Sequence, residues 1–162
     1  MLKLPYGQSD FKKVILDGYF YQDRTEYIRE LETLPTFLYY LRPRRFGKSL
    51  FVSMLHYYYG LEHASKFDKL FGKLAIGQNP TPFANQYMVL SFEFSRITTS
   101  TPEKTFNGFL RNVREGVGLF LARYKAYFPK EIHAGGLGLK GLIHHGSPDS
   151  ERGVLDRQVA GQ

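Results

Sequence analysis

The feature that most constrains the fold is an uninterrupted apolar run, followed at once by a basic turn and a helix-like stretch. The run occupies residues 36–41 with the sequence TFLYYL and does not alternate between apolar and polar residues. Such a run is typical of a strand that is buried on both faces of a parallel sheet. Residues 50–59 follow the turn, and the side chains that share one helical face there are Phe51, Met54, Leu55 and Tyr58. The pattern predicts a strand, a short turn and a helix that ends near Gly60.

The turn has the residue types of a phosphate-binding loop. It ends in Gly47, Lys48 and Ser49, which match the last three positions of a P-loop when they stand between a buried strand and a helix. Gly47 lets the backbone approach a phosphate, and the first N–H groups of the helix face the anion. Lys48 can reach the β- and γ-phosphates, and the Ser49 hydroxyl can ligate the Mg²⁺ that bridges them. The motif predicts a nucleotide site in which Ser49 is the metal ligand.

The loop departs from the full motif at its first position. A P-loop has glycine five residues before Gly47, whereas this chain has Arg42, followed by Pro43. Proline fixes its own φ and biases Arg42 towards an extended conformation. Arg44 and Arg45 add two cations that could clamp phosphates or a nucleic-acid backbone, or could simply be solvated.

The segment before the apolar run reads as helical. Ser9 can cap a first helix, and Gly18 ends it. A second helix is expected to begin near Asp23 or Thr25, because either side chain can accept from the first free N–H groups. We expect this region to serve mainly in packing.

The segment after the first helix pair predicts the second half of an α/β unit. Residues 87–94 read as another strand, and Ser100 to Glu103 form a capping box for a long helix that reaches about Phe128. Glu93 is expected to be a strand-end glutamate rather than a metal ligand. The expected fold class is α/β: a partial P-loop NTPase-like three-layer sandwich with a helical N-terminal segment.

Several separated motifs, in the same order, resemble the AAA-ATPase-like family of bacterial and archaeal proteins. The matching segments are residues 4–7 (LPYG), 10–11 (DF), 19–21 (YFY), 23–25 (DRT), 42–50 (RPRRFGKSL), 53–55 (SML), 57–59 (YYY) and 70–74 (LFGKL). The resemblance covers about residues 1–130 and implies an ATP-binding P-loop domain that uses ATP and Mg²⁺. Fuller members often continue into a nuclease-like domain of the PD-(D/E)XK type. The nucleotide-binding residues implied here are Arg44, Arg45, Phe46, Gly47, Lys48, Ser49 and Leu50.

Composition changes sharply after Phe128. The 14 Phe and 12 Tyr all lie between Tyr6 and Phe128, and the net charge of +7 belongs to the same part of the chain, because the charges beyond it cancel. Residues 132–162 are instead rich in glycine, and they contain His133, His144 and His145. We expect residues 1–131 to be the N-terminal portion of the P-loop domain. We expect residues 132–162 to be a disordered tail, consistent with a frameshift and an early stop.

Composition also excludes several classes of protein. The chain has no cysteine, so it is neither a disulfide scaffold nor a cysteine-based zinc module. It has no apolar run of about 18 residues and no apolar stretch typical of a signal peptide. The expected location is the cytoplasm, with no membrane partner, and nothing indicates an oligomeric state.

Hydrolysis needs a carboxylate that holds Mg²⁺ at the end of a second apolar strand. The sequence has no suitable aspartate, since Asp156 follows too short an apolar run, so we assign no catalytic residue and expect little or no ATP hydrolysis. Two alternatives stay open. The basic, aromatic-rich chain could be a nucleic-acid-binding module, whose affinity would fall log-linearly with salt. It could also be a truncated fragment that does not fold.

Overall fold

The computed structural model describes residues 2–128, and the regular elements in this range are helical. The chain divides into two units, with the boundary between Ser91 and Phe92. The first unit contains α1 (Phe11–Leu16), α2 (Tyr27–Thr33), α3 (Lys48–Tyr59), a 3₁₀ helix (Leu61–Lys66), α4 (Phe67–Phe71) and α5 (Ala75–Gln78). The second contains α6 (Pro102–Arg123) and a 3₁₀ turn (Lys125–Tyr127).

The N-cap of helix α1 lies one residue later than predicted. Asp10, not Ser9, is the N-cap, and its carboxylate accepts from the N–H of Lys12 at 3.0 Å. The N–H of Phe11 donates to the Ser53 hydroxyl of α3, also at 3.0 Å. Gly18 has a φ of 67° and ends the helix as expected. The start of α1 is therefore fixed by one local carboxylate and by one hydroxyl that lies 42 residues away.

The core of the first unit is a small cluster of apolar side chains around α3. Its fully buried members are Phe11, Ile28, Met54, Tyr58, Leu70, Phe71 and Ile76. The ring of Phe71 stacks on that of Phe11 with centroids 5.0 Å apart and meets the edge of Tyr58 at 5.3 Å. Burial of each large side chain contributes roughly 1.5–3 kcal/mol before conformational entropy is counted. Helix α3 thus supplies the surface on which α1 and α4 pack.

A buried polar network ties the end of α3 to its neighbours. The Tyr58 hydroxyl accepts from the N–H of Thr81 at 2.8 Å and lies 3.1 Å from the Thr81 hydroxyl. The carboxylate of Glu32 accepts from the hydroxyls of Thr81 (2.8 Å) and Tyr59 (3.0 Å). Burial raises the pKa of Tyr59, and the neighbouring Glu32 carboxylate raises it further. The phenol therefore stays protonated and remains a donor.

Asp23 and Thr25 accept hydrogen bonds from α5, a structural role that the sequence did not predict. The Asp23 carboxylate accepts from the N–H and hydroxyl of Thr25 and, through its other oxygen, from the N–H of Ala75 at 2.7 Å. The buried Thr25 hydroxyl accepts from the N–H of Ile76 at 3.1 Å. These bonds hold the first turn of α5 against the segment that precedes α2.

The predicted α/β sandwich is wrong. No β-strand forms in residues 2–128, and the pairing there is a single isolated parallel bridge between Gly60 and Tyr87. In the run 36–41, Phe37, Tyr39 and Leu41 are between 86% and 91% exposed. A strand is stable only when neighbouring backbones satisfy its N–H and C=O groups, and β-propensity measures fit to a pleated, half-buried surface. Residues 36–41 form no such pairing, and residues 87–94 are paired at Tyr87 through that isolated bridge, so neither run becomes a strand and no crossover unit forms in the described range.

The second unit is dominated by α6. Its N-cap is Thr101, not the predicted Ser100, and the Thr101 hydroxyl accepts from the N–H of Lys104 at 3.2 Å. Pro102 occupies the first helical position, where its missing N–H removes no intrahelical hydrogen bond. The helix ends at Arg123 rather than near Phe128.

Within residues 2–128, none of the helices combines the length and the apolar character that a bilayer crossing requires. The tail that the sequence predicts to be disordered, residues 132–162, lies outside the described residues.

Replacing Asp23 by asparagine tests its docking role. Burial alone would raise the pKa of this carboxyl, but hydrogen bonds from Thr25 and Ala75 outweigh it and lower the pKa. Because the folded pKa is lowered, the stabilisation is present above the unfolded pKa and is lost as pH falls through the folded value. Asp23→Asn should therefore lower the free energy of unfolding by about 2 kcal/mol at pH 7.

The loss of unfolding free energy in Asp23→Asn should be clearly smaller near pH 3 than at pH 7. Urea denaturation at the two pH values measures both losses. The control is Asp17→Asn, an exposed carboxylate at the end of α1, which should change stability by less than about 0.5 kcal/mol at either pH. An equal loss for Asp23→Asn at both pH values would contradict the ionised role.

Candidate functional site

The loop before α3 is exposed and sharply curled. The N–H of Phe46 donates to the carbonyl of Pro43 at 3.4 Å, which closes a turn. Two positions then adopt left-handed backbone conformations, Arg45 with φ 66° and Gly47 with φ 77°. A positive φ costs an L-residue such as arginine roughly 1–2 kcal/mol. The surrounding loop must therefore fix this conformation.

The ammonium group of Lys48 folds back into this loop. Its Nζ donates to the carbonyl of Arg42 at 2.5 Å and to that of Pro43 at 3.2 Å. The side chain is only partly exposed, although the residues before it are exposed. The loop is thus wrapped around a single cation, which lies beside the first turn of α3. Sequence reasoning predicted a phosphate-binding role for Lys48, but it did not predict these two carbonyl acceptors.

The first turn of α3 has the character of an anion site. Gly47 is its N-cap and provides no side-chain acceptor, and the first turn contains no acidic residue. The first backbone bond into the helix runs from the N–H of Phe51 to the Gly47 carbonyl at 2.9 Å. The earlier N–H groups have no intrahelical acceptor and lie at the positive end of the helix dipole.

The predicted site residues lie along this loop and turn. Arg44, Arg45, Phe46, Gly47 and Ser49 are exposed, whereas Leu50 is half-buried against the core cluster. Leu50 therefore anchors the helix start to the core.

The local charge is strongly positive. Four cations occur between Arg42 and Lys48, and no aspartate or glutamate occurs from Thr33 to Leu61. An anion that approaches the loop therefore meets a cationic surface with no nearby carboxylate in the same stretch of chain.

A cavity next to the loop was not predicted. It has a volume of about 160 Å³ and is lined by Arg24, Tyr27, Glu30, Leu31, Leu34, Tyr40, Arg42 and Phe51. The rings of Tyr40 and Phe51 stack with centroids 4.7 Å apart, and the Arg42 guanidinium lies 5.6 Å from the Tyr40 centroid. Arg42 joins the two features, because its carbonyl holds Lys48 and its side chain lines the cavity. The sequence assigned Tyr40 to a strand and Phe51 to a packed helix face, so spacing alone gave no signal.

The Glu93 carboxylate accepts from the N–H of Ser95 at 2.9 Å. Hydrogen bonds from the side chain and then the backbone of Ser95 lower the pKa of Glu93. The carboxylate therefore holds a local turn and does not end a strand, because residues 87–94 form none.

A family model described as "Predicted AAA-ATPase" matches residues 5–149. The chain belongs to the AAA-ATPase-like family. The resemblance drawn from the separated motifs is therefore confirmed, and the match includes the whole loop from Arg42 to Leu50. It also runs past residue 131, and the domain boundary expected there stays a prediction. No curated protein and no solved structure shows a significant similarity to the chain.

Substitution of Gly47 tests whether the left-handed turn is needed. An added Cβ would meet no atom within 4 Å, so any cost comes from the φ of +77° and not from a clash. Gly47→Ala should lower the free energy of unfolding by about 1 kcal/mol. Gly47→Asn is the matched control, because asparagine tolerates left-handed backbone, and it should lose less. Urea denaturation of the three proteins measures both differences, and equal stability of all three would contradict the assigned conformation.

Proposed function

We propose that the protein binds a nucleoside triphosphate, ATP with Mg²⁺, through the loop that precedes α3. The observation that carries the proposal is the position of the Lys48 ammonium, held by two loop carbonyls beside a helix N-terminus that no side chain caps. Membership of a family described as predicted AAA-ATPases supports a nucleotide as the ligand of this arrangement. A cytoplasmic location would agree with such a ligand.

Each residue of the loop would make a different contact with the phosphates. Lys48 would exchange its carbonyl acceptors for β- and γ-phosphate oxygens, which are stronger acceptors because they are charged. The first N–H groups of α3 would face the same oxygens. Arg44 and Arg45 are exposed and can add bidentate contacts from the loop side. The Ser49 hydroxyl is the group in this turn that suits Mg²⁺, which supplies charge neutralisation on the phosphates.

The cavity beside the loop suits the nucleoside end of the same ligand. Its wall combines the stacked rings of Tyr40 and Phe51 with the polar groups of Arg24 and Glu30. Apolar cavities with a few polar groups are the usual form of small-molecule sites. Arg42 belongs to both features, since its carbonyl accepts from Lys48 and its side chain lines the cavity, so we propose that one ligand contacts both.

Binding should depend on Lys48. We expect Lys48→Ala to weaken binding of Mg²⁺-ATP by about 10- to 100-fold, the range for a hydrogen bond between charged groups. The matched control is Lys13→Ala, which removes one exposed positive charge from α1 and should bind like wild type. Equilibrium binding of a fluorescent ATP analogue measures all three affinities.

Equal binding by wild type and Lys48→Ala would refute the nucleotide site. A nucleic-acid role would instead show as duplex binding that falls log-linearly with salt and needs no Mg²⁺.

Bound ATP should be hydrolysed slowly or not at all. The sequence contains no sufficiently long apolar run that ends in aspartate, and residues 87–94, which we expected to be a strand, form none that could hold a carboxylate for Mg²⁺. We expect phosphate release by wild type to match that of Lys48→Ala, measured with a colorimetric phosphate assay at saturating ATP. A Lys48-dependent release of several turnovers per minute would contradict this expectation.

A further inference from the structure

Three side chains with metal-binding atoms meet at the opposite end of α3 from the loop. His56 lies in the last turn of α3, and Glu62 and His63 lie in the 3₁₀ helix that follows Gly60. One ligand atom from each lies within 4.8 Å of the other two. His56 is seven residues from Ser49, which is about 10 Å along a helix axis. The cluster is therefore separate from the proposed phosphate site.

The spacing within the cluster matches a tetrahedral zinc site. Nε2 of His56 lies 3.4 Å from Oε1 of Glu62, and Nε2 of His63 lies 3.5 Å from the same oxygen. Zinc bonds of 2.0–2.2 Å to nitrogen and oxygen at the tetrahedral angle place two ligand atoms about 3.4 Å apart. Direct hydrogen bonds between charged groups are shorter, at about 2.7–2.9 Å. Two of the ligand-to-ligand distances of a tetrahedral zinc site are thus already present.

The surrounding chain holds these ligands in place. The Asn85 side chain donates to the carbonyls of Tyr57 (3.2 Å) and Gly60 (2.8 Å), and so fixes the turn between the two helices. The Tyr57 ring lies 4.4 Å from the His63 ring, centroid to centroid. These contacts limit the rotation of the ligand-bearing segment, as a pre-organised metal site requires.

Gly60 provides the room that the carboxylate needs. A Cβ at this position would lie 2.8 Å from Oε2 of Glu62 and 2.8 Å from the carbonyl of His56. A larger residue would therefore displace the Glu62 carboxylate from the imidazoles. The ligand side chains are between 14% and 19% exposed, which leaves an approach for an ion and a water molecule.

We propose that His56, Glu62 and His63 bind one Zn²⁺ ion, with water as the fourth ligand. Two imidazoles and one carboxylate form a donor set that zinc takes readily, and three protein ligands plus water are a common arrangement for this metal. The ion would connect the end of α3 to the 3₁₀ helix and stabilise the turn between them.

The test must first remove the other histidines. His133, His144 and His145 are the remaining imidazoles of the chain, so a variant with all three replaced by alanine serves as the parent protein. The parent should bind one equivalent of Zn²⁺ in competition with a chromophoric chelator, and Co²⁺ in its place should give the strong visible absorption of tetrahedral coordination. Glu62→Gln and His63→Ala in this parent should each weaken binding by at least about tenfold.

Gly60→Ala keeps all three ligands and should weaken binding through displacement of the carboxylate. Circular dichroism of each variant shows whether it is folded, and the Co²⁺ spectrum of the parent is informative even if a variant is not. Failure of the parent to bind one zinc ion, an octahedral cobalt spectrum, or unchanged affinity in a folded Glu62→Gln would each overturn the proposal. None of these results depends on ATP binding.

Discussion

The packing of one face of α3 is the interaction on which the first unit depends. Met54 and Tyr58 are buried on that face, against the rings of Phe11 and Phe71. The same helix begins at the basic loop and ends at the histidine cluster, so its position fixes both. A cavity left in this cluster would cost about 2–5 kcal/mol.

The two ends of α3 present opposite chemistry for a simple physical reason. At its start, the free N–H groups and the dipole favour anions, and the four nearby cations strengthen that preference. At its end, the dipole favours cations, and the donor atoms of His56 and Glu62 can bind a metal ion. The phosphate site and the zinc site proposed above thus follow from one helix with a fixed polarity.

Sequence reasoning was most reliable where the signal is local. The helix break at Gly18 and a helix after the Gly-Lys-Ser turn depend on residues close together in the chain, and the structure shows both. Caps were displaced by one residue at Asp10 and Thr101, because adjacent polar residues compete for the same N–H groups. The strands failed because an apolar run defines a strand only when a partner strand satisfies its backbone, and the run itself does not show whether one is present.

The sequence by itself determined the family, the basic character of the loop before α3 and the helix break at Gly18. These depend on residues that are neighbours in the chain, whose types set local geometry and charge. Only the tertiary structure decided that Asp23 and Thr25 hold α5, that Arg42 joins the loop to a cavity, and that His56 meets Glu62 and His63. Each of these contacts depends on how packed helices and turns bring side chains together in space. Residue spacing along the chain does not predict which distant side chains come into contact.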